Sequence, residues 1–384
     1  MKKILVMIPA AGEVYDHDCV RAYHYRNVQA NVDRYYNMGD LFVYDSSLKL
    51  LQFDQIEPLK ISQFSQKHID RYNAEFDYCF LRGSNYIHPY MNWEQAIPVL
   101  QKLKIPVIPF GIGAQSPAHS EIPLSEETKT VLKILADKCA SVGIRGFYTA
   151  EVLNKIGIQN IDIIGCPTLY RFNNPTLQIA LPPLEKIETI GYTLRREVDQ
   201  SYSISIENYM QVQREMIFEL GDRFNLTLIA QGEREEKVIF YKQQEKISQA
   251  IDNLVFLKWF KDENDPLLDL YLNRMFYSEI VSDYDDFTRK LDLVLGYRLH
   301  GNLMALANQT PAIYCSYDSR TREFADTYKI PCYDVDSKQK FVLEDYYRQD
   351  LFNQFNQSYQ HYYRAMSEFL TKNGMSHKMQ LQVA

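Results

Sequence analysis

One turn in this chain sets a fixed cation beside a proton carrier. The apolar run Leu291 to Leu295 reads as a buried strand, Gly296-Tyr297-Arg298-Leu299-His300 as a turn, and Gly301 to Ala307 as a small-residue helix that leads into a further strand, Ala312 to Cys315. That order puts Arg298 and His300 at a helix N-terminus, where free backbone amides and the helix dipole favour an anion. The Arg298 guanidinium adds a rigid fork suited to phosphate or carboxylate. His300 titrates near neutrality and can deliver a proton to whatever the fork holds. A lone histidine is more often a core or cap residue; its spacing from Arg298 favours chemistry. Arg195 is a second cation, at the end of the apolar run Ile190 to Leu194.

These residues need a scaffold, and the pattern around them supplies one. Ile4 to Ile8, Tyr78 to Leu81, Pro106 to Phe110, Ser141 to Ile144 and Ile161 to Ile164 read as buried strands, with helical patterns such as Trp93 to Leu103 and Leu124 to Lys138 between them. Repeated β-α-β order implies a parallel sheet covered on both faces. Leu181-Pro182-Pro183-Leu184 interrupts the pattern, and Ile190 to Leu194, Leu226 to Ala230, Leu291 to Leu295 and Ala312 to Cys315 then build a second sheet. From Leu343 to Phe369 apolar residues recur at three- and four-residue steps, which predicts a long terminal helix packed on the body. The expected fold is α/β: two Rossmann-like domains, 1–182 and 183–340, facing a central cleft in the GT-B manner, followed by a helical segment, 341–384. Ligands bind such sheets at the carboxyl ends of their strands, which is where Arg195, Arg298 and His300 fall.

A length of 384 residues exceeds what one core usually serves, in keeping with two domains. The net charge of −7 provides no broad basic field, so nucleic acid is excluded as a partner and any anion must be gripped locally. The apolar stretches are too short to span a bilayer. Lys2-Lys3 followed by Ile4 to Ala11 mimics a secretory leader, but Pro9 interrupts it and it reads as the first strand. Six scattered cysteines form no C-x-x-C pair, so neither a disulfide framework nor structural zinc is expected, and a reducing cytoplasm fits. No metal motif is present; Asp283, Asp285 and Asp286 read as a solvated acidic loop as readily as a magnesium site. The 29 tyrosines suit helix packing, with a minority available for stacking on sugar rings.

Gly296 to Gly301, with Ala305-Leu306-Ala307, Thr310-Pro311 and Ser316-Tyr317-Asp318, resembles the R-L-H signature of the polysaccharide pyruvyl transferase family. Asn37-Met38-Gly39-Asp40 resembles its N-x-G-D loop, Gly111 to Ser116 its G-x-G loop, Ser141 to Arg145 its S-x-R strand, Gly165 to Thr168 its G-C/D-P-x turn, and Gly191 to Arg195 the strand opening its second domain. The resemblance spans roughly residues 1 to 330. It implies transfer of a carboxyethylidene group from phosphoenolpyruvate to two hydroxyls of a polysaccharide or lipid-linked precursor. Arg195 and Arg298 would clamp the donor, Leu299, Gly301 and Asn302 would complete its site, and His300 would act as the acid. No cofactor is implied beyond phosphoenolpyruvate as co-substrate. Candidate acceptor contacts are Asn37, Asp40, His88 and Tyr86, from loops of the first domain, and Gln231 with Glu233 after a second-domain strand. A lipid-linked acceptor would bring the chain to the inner membrane face as a peripheral protein, and a homo-oligomer is compatible with the reading. The chain departs from the family pattern at Arg82-Gly83-Ser84-Asn85, where a Gly-rich run is usual, and at Arg145-Gly146. A nucleotide-sugar glycosyltransferase of the same layout is the rival reading, and a non-catalytic glycan-binding protein is a third.

Overall fold

The structure, a computed structural model, describes residues 2–15, 19–23, 25–200 and 202–380. Two six-stranded sheets carry the fold. The first contains β1 (Lys3–Met7), β4 (Gln55–Pro58), β5 (Tyr78–Arg82), β6 (Val107–Ile112), β7 (Val142–Ile144) and β8 (Ile161–Ile163), in the order β4-β1-β5-β6-β7-β8; a hairpin of β2 (Gly12–Tyr15) and β3 (Cys19–Ala22) stands apart from it. The second contains β9 (Thr189–Thr193), β10 (Asn225–Ile229), β11 (Met275–Phe276), β12 (Leu293–Gly296), β13 (Ala312–Ser316) and β14 (Cys332–Asp334), in the order β11-β10-β9-β12-β13-β14. Pairing within both sheets is parallel. Each sheet therefore has a point where strand order reverses: between β1 and β5, and between β9 and β12.

Side chains along β1 and β5 alternate between two cores. Ile4, Val6, Tyr78 and Phe80 face inward to a core shared with the second sheet, whereas Leu5, Met7, Cys79 and Leu81 pack beneath the outer helices. Burial on both faces explains why β5 as far as Leu81, and β6, β12 and β13 throughout, are apolar or small-residue runs. The inner core runs without interruption from the first sheet through the second to the terminal helix. That helix, Gln349–Lys372, returns to the first sheet: Phe369 stacks on Phe110 with centroids 6.0 Å apart, and Lys372 pairs with Asp162 at 3.0 Å.

Two expectations change. The terminal helix does not begin at Leu343. A short turn, Leu343–Tyr346, precedes it, and Arg348 is extended, with the break anchored where the Tyr347 hydroxyl donates to the Pro182 carbonyl at 2.8 Å. The acidic cluster is not a loop either. It lies on the helix Val281–Thr288, and Asp285 is buried against Arg171 at 2.8 Å, while Asp286 pairs with Arg289 at 3.0 Å. Among the described residues no helix is long and apolar enough to cross a membrane, and no cluster of three potential ligands could hold a metal ion.

Candidate active site

Ligands settle at the reversal point of an open α/β sheet, and in the second sheet β9 and β12 form that point. Arg195 follows the end of β9 by two residues and Arg298 follows the end of β12 by two. Gly296 turns with φ 134°, and a Cβ there would press on the Thr193 backbone, so this turn needs glycine. Thr193 then ties the turn down: its carbonyl accepts from the Tyr297 amide at 3.0 Å and its hydroxyl oxygen from the Arg298 amide at 3.3 Å. Arg298 becomes the N-cap of helix Leu299–Ala307.

Between the sheets lies a cavity of about 630 Å³, lined from the first half by Asn37, Asp40 and His88 among others, and from the second by Arg195, Gln231, Arg298, Leu299 and His300. The structure thus gathers these sequence-selected residues on one space. Gly301 and Asn302 do not line it. Gly301 packs against the Gln231 amide, and the Asn302 side chain is used internally, accepting from Thr193 Oγ1 at 2.9 Å and donating to the Gly296 carbonyl at 3.0 Å.

His300 sits between two helix N-termini, its own and that of Met38–Leu50. The absence of a side chain on Gly39 admits the ring; a Cβ there would stand 3.0 Å from Nδ1. Burial, followed by the charges of Arg145, Arg320, Arg82 and Arg298, holds the imidazole well below its ordinary pKa. Its Nε2 has no hydrogen-bond partner among the described residues. A neutral imidazole facing several guanidiniums is poised to take a proton once an anion arrives.

The two expected cations differ in surroundings. Arg298 donates through Nε to the Leu194 carbonyl at 3.0 Å and forms a buried ion pair through Nη2 with Glu233. Glu233, weighed from sequence as an acceptor contact, instead holds Arg298. Arg195 forms no ion pair among the described residues; Nη1 donates to the Tyr317 hydroxyl, and the guanidinium lies 4.7 Å over the Tyr202 ring.

On the opposite wall Asn37 caps helix 38–50, accepting from the Gly39 amide at 3.1 Å and donating to Asp40 at 3.0 Å. Asp40 also accepts from Arg82 Nη1 at 2.8 Å. Arg82 is itself aimed by the carbonyl of Ile8, which accepts from Nε at 3.0 Å. Ile8 has φ 53°, a strained value for a β-branched residue, at the reversal point of the first sheet. His88 lines the mouth with Nδ1 accepting from the Tyr90 amide at 3.2 Å, and burial lowers its pKa. Gln231 is buried, its Nε2 unpartnered among the described residues and its carbonyl accepting from the Met38 amide across the seam at 3.0 Å.

Sequence reasoning missed Arg320, which lines the same cavity, and did not foresee that Arg145 would bond Asn85 and the Gly111 carbonyl beside it. Burial lowers the Arg145 pKa to about 10. A signal for Arg320 existed: Asp318, after the strand Ala312 to Cys315, caps the helix Ser319–Tyr328, repeating on the next strand the handover that singled out Arg298.

Two doubly wound α/β halves thus enclose an arginine-lined cavity onto which the His300 ring opens. The model of the polysaccharide pyruvyl transferase family matches residues 22–319, and the chain belongs to that family. No curated protein matches it. Similar solved structures include Anabaena HepE in complex with UDP and glucose, at 9% identity over 97% of this chain and 98% of that one with a TM-score of 0.44. Staphylococcus aureus MnaA with UDP is 13% identical over 96% and 95%, TM-score 0.45. A Listeria monocytogenes UDP-N-acetylglucosamine 2-epimerase, so described, is 11% identical over 96% and 95%, TM-score 0.45.

Proposed function

We propose that the chain transfers the carboxyethylidene group of phosphoenolpyruvate to two hydroxyls of one sugar, forming a pyruvate ketal and releasing phosphate. The observation that carries this reading is the convergence of Arg195, Arg298 and an unpartnered His300 Nε2 on one cavity. Phosphoenolpyruvate brings a phosphate and a carboxylate on a three-carbon frame, and guanidinium forks match both groups. Donor binding adds negative charge beside His300, offsetting the arginines that keep it neutral, and the ring takes up a proton. His300 delivers that proton to the terminal carbon of the donor, making it a methyl group. One sugar hydroxyl adds to the central carbon, its proton restoring the one His300 gave up; the second then displaces phosphate, which leaves with that hydroxyl's proton, and the ketal closes. The scheme calls for no metal and no organic cofactor. A cavity of about 630 Å³ leaves room for a sugar beside so small a donor, on the side of Asn37, Asp40, His88 and Gln231. The acceptor is then a polysaccharide unit or its lipid-linked precursor, reached from the cytoplasm.

The test is transfer in heavy water with wild type and His300→Gln. One deuterium is expected in the ketal methyl group, and the variant should be slower by ~10²–10⁴-fold, the usual range for a general acid. A ketal formed without deuterium refutes protonation at carbon. Release of a nucleotide from a sugar donor, with no phosphate from phosphoenolpyruvate, favours a glycosyltransferase instead.

A further inference from the structure

Three adjacent strands of the second sheet, β9, β12 and β13, each hand over to a cavity-lining arginine: Arg195, Arg298 and Arg320. They are not equally available to a ligand. Arg298 is committed to Glu233. Arg195 and Arg320 instead share one neutral atom, the Tyr317 hydroxyl oxygen, which accepts from Arg195 Nη1 and from Arg320 Nη2, the latter at 2.9 Å. The only carboxylate paired with either among the described residues is Asp318, 3.4 Å from Arg320 Nη2, and its other oxygen already caps helix 319–328 by accepting from the Thr321 amide at 2.7 Å. Both Nε atoms are buried without a partner among the described residues, and Arg320 is 8% exposed. A buried guanidinium N–H left unpaired is costly unless a ligand completes it.

Tyr317 is fixed rather than free to swing. Its ring lies 5.0 Å from that of Tyr209 and stacks on Tyr297 at 5.6 Å. The phenol oxygen therefore acts as a spacer that holds two like charges side by side, with only Asp318 to offset them.

Resting on the phosphoenolpyruvate reading above, we propose that Arg320 and Arg195, held apart by Tyr317, form the subsite for the doubly charged phosphate of the donor. Two forks with one carboxylate paired to them keep a net positive charge that suits a dianion; Arg298, its charge offset by Glu233, suits the singly charged carboxylate. Arg320 is also one of the cations facing His300, so a phosphate seated on it relieves the charge that keeps the imidazole neutral. Donor binding and arming of the acid become one event.

The test is calorimetric titration of the full chain with inorganic phosphate and, separately, with pyruvate as the carboxylate half. Arg320→Met should weaken phosphate binding at least tenfold and leave pyruvate within twofold. Tyr317→Phe, which keeps the packed ring and removes only the shared oxygen, should weaken phosphate binding by a smaller factor, and Arg320→Lys should restore part of the loss. Unchanged phosphate affinity in Arg320→Met and Tyr317→Phe overturns the assignment, as does an equal loss for both probes. Arg320-dependent phosphate binding in a protein that does not turn over phosphoenolpyruvate leaves the subsite standing and overturns the donor reading instead.

Discussion

In the proposed reaction, a proton donor that is neutral before its substrate arrives would leave a mark on the pH dependence. His300 is half-buried among Arg145, Arg320, Arg82 and Arg298, and desolvation followed by their charges holds its free-state pKa well below the ordinary 6.5. The profile of kcat/KM reports the free enzyme, and that of kcat the complex. As pH rises across neutrality, kcat/KM should fall, because ever fewer free molecules carry the proton. The falling limb of kcat should lie at higher pH, since the bound dianion restores basicity to the ring. Steady-state rates against pH check both limbs, and His300→Gln should lose both. The pairing of Arg298 with His300 at one cavity was legible because both are local to one turn. Glu233 and Arg320 were not, because their roles arise only when loops after β10, β12 and β13 meet in space.

Helices act here by carrying charge across the seam between the halves. Helix 319–328 presents Glu323 to the first half, where the carboxylate accepts from the Thr149 amide at 2.6 Å and the Thr149 hydroxyl at 3.1 Å. Burial lifts its pKa from 4.5 to about 7. The folded protein therefore holds a proton that the unfolded chain gives up between those values, so the stabilising contribution is complete below about pH 4.5 and lost as pH rises through about 7. At ~1.4 kcal/mol per unit the effect is about 3 kcal/mol. Thermal melts should show wild type losing stability between pH 5 and 8 more steeply than Glu323→Gln. Elements such as β5, β6, β12 and β13 were legible as apolar runs. Of helix 38–50 only the N-x-G-D loop at its start was noticed in the sequence, because the helix is buried on nearly every side and shows no amphipathic period. The edge strands β4 and β11 escaped notice too: one contains polar residues and Pro58, the other is two residues long.

At the scale of the molecule the halves are joined by more than a linker. Arg171, fully buried after β8, pairs with Asp45 of helix 38–50 at 2.7 Å and with Asp285 of the second half at 2.8 Å. Removing that shared cation strands two buried carboxylates, and Arg171→Met should cost about 3–5 kcal/mol. Because one core spans both sheets, the loss should lower a single shared unfolding transition, seen by calorimetry, rather than split it in two.

That continuous core bears on how an acceptor arrives. On the proposed function, lobes that share their interior resist swinging apart like a jaw, which favours entry of a glycan through the mouth beside Tyr35 and Tyr90, two of the more exposed aromatic rings among the described residues. An entry that does not open wide favours terminal or branch-borne sugars over residues inside an unbranched strand, and if the proposed transfer holds, the architecture would thereby decide where along a polymer the ketals are written.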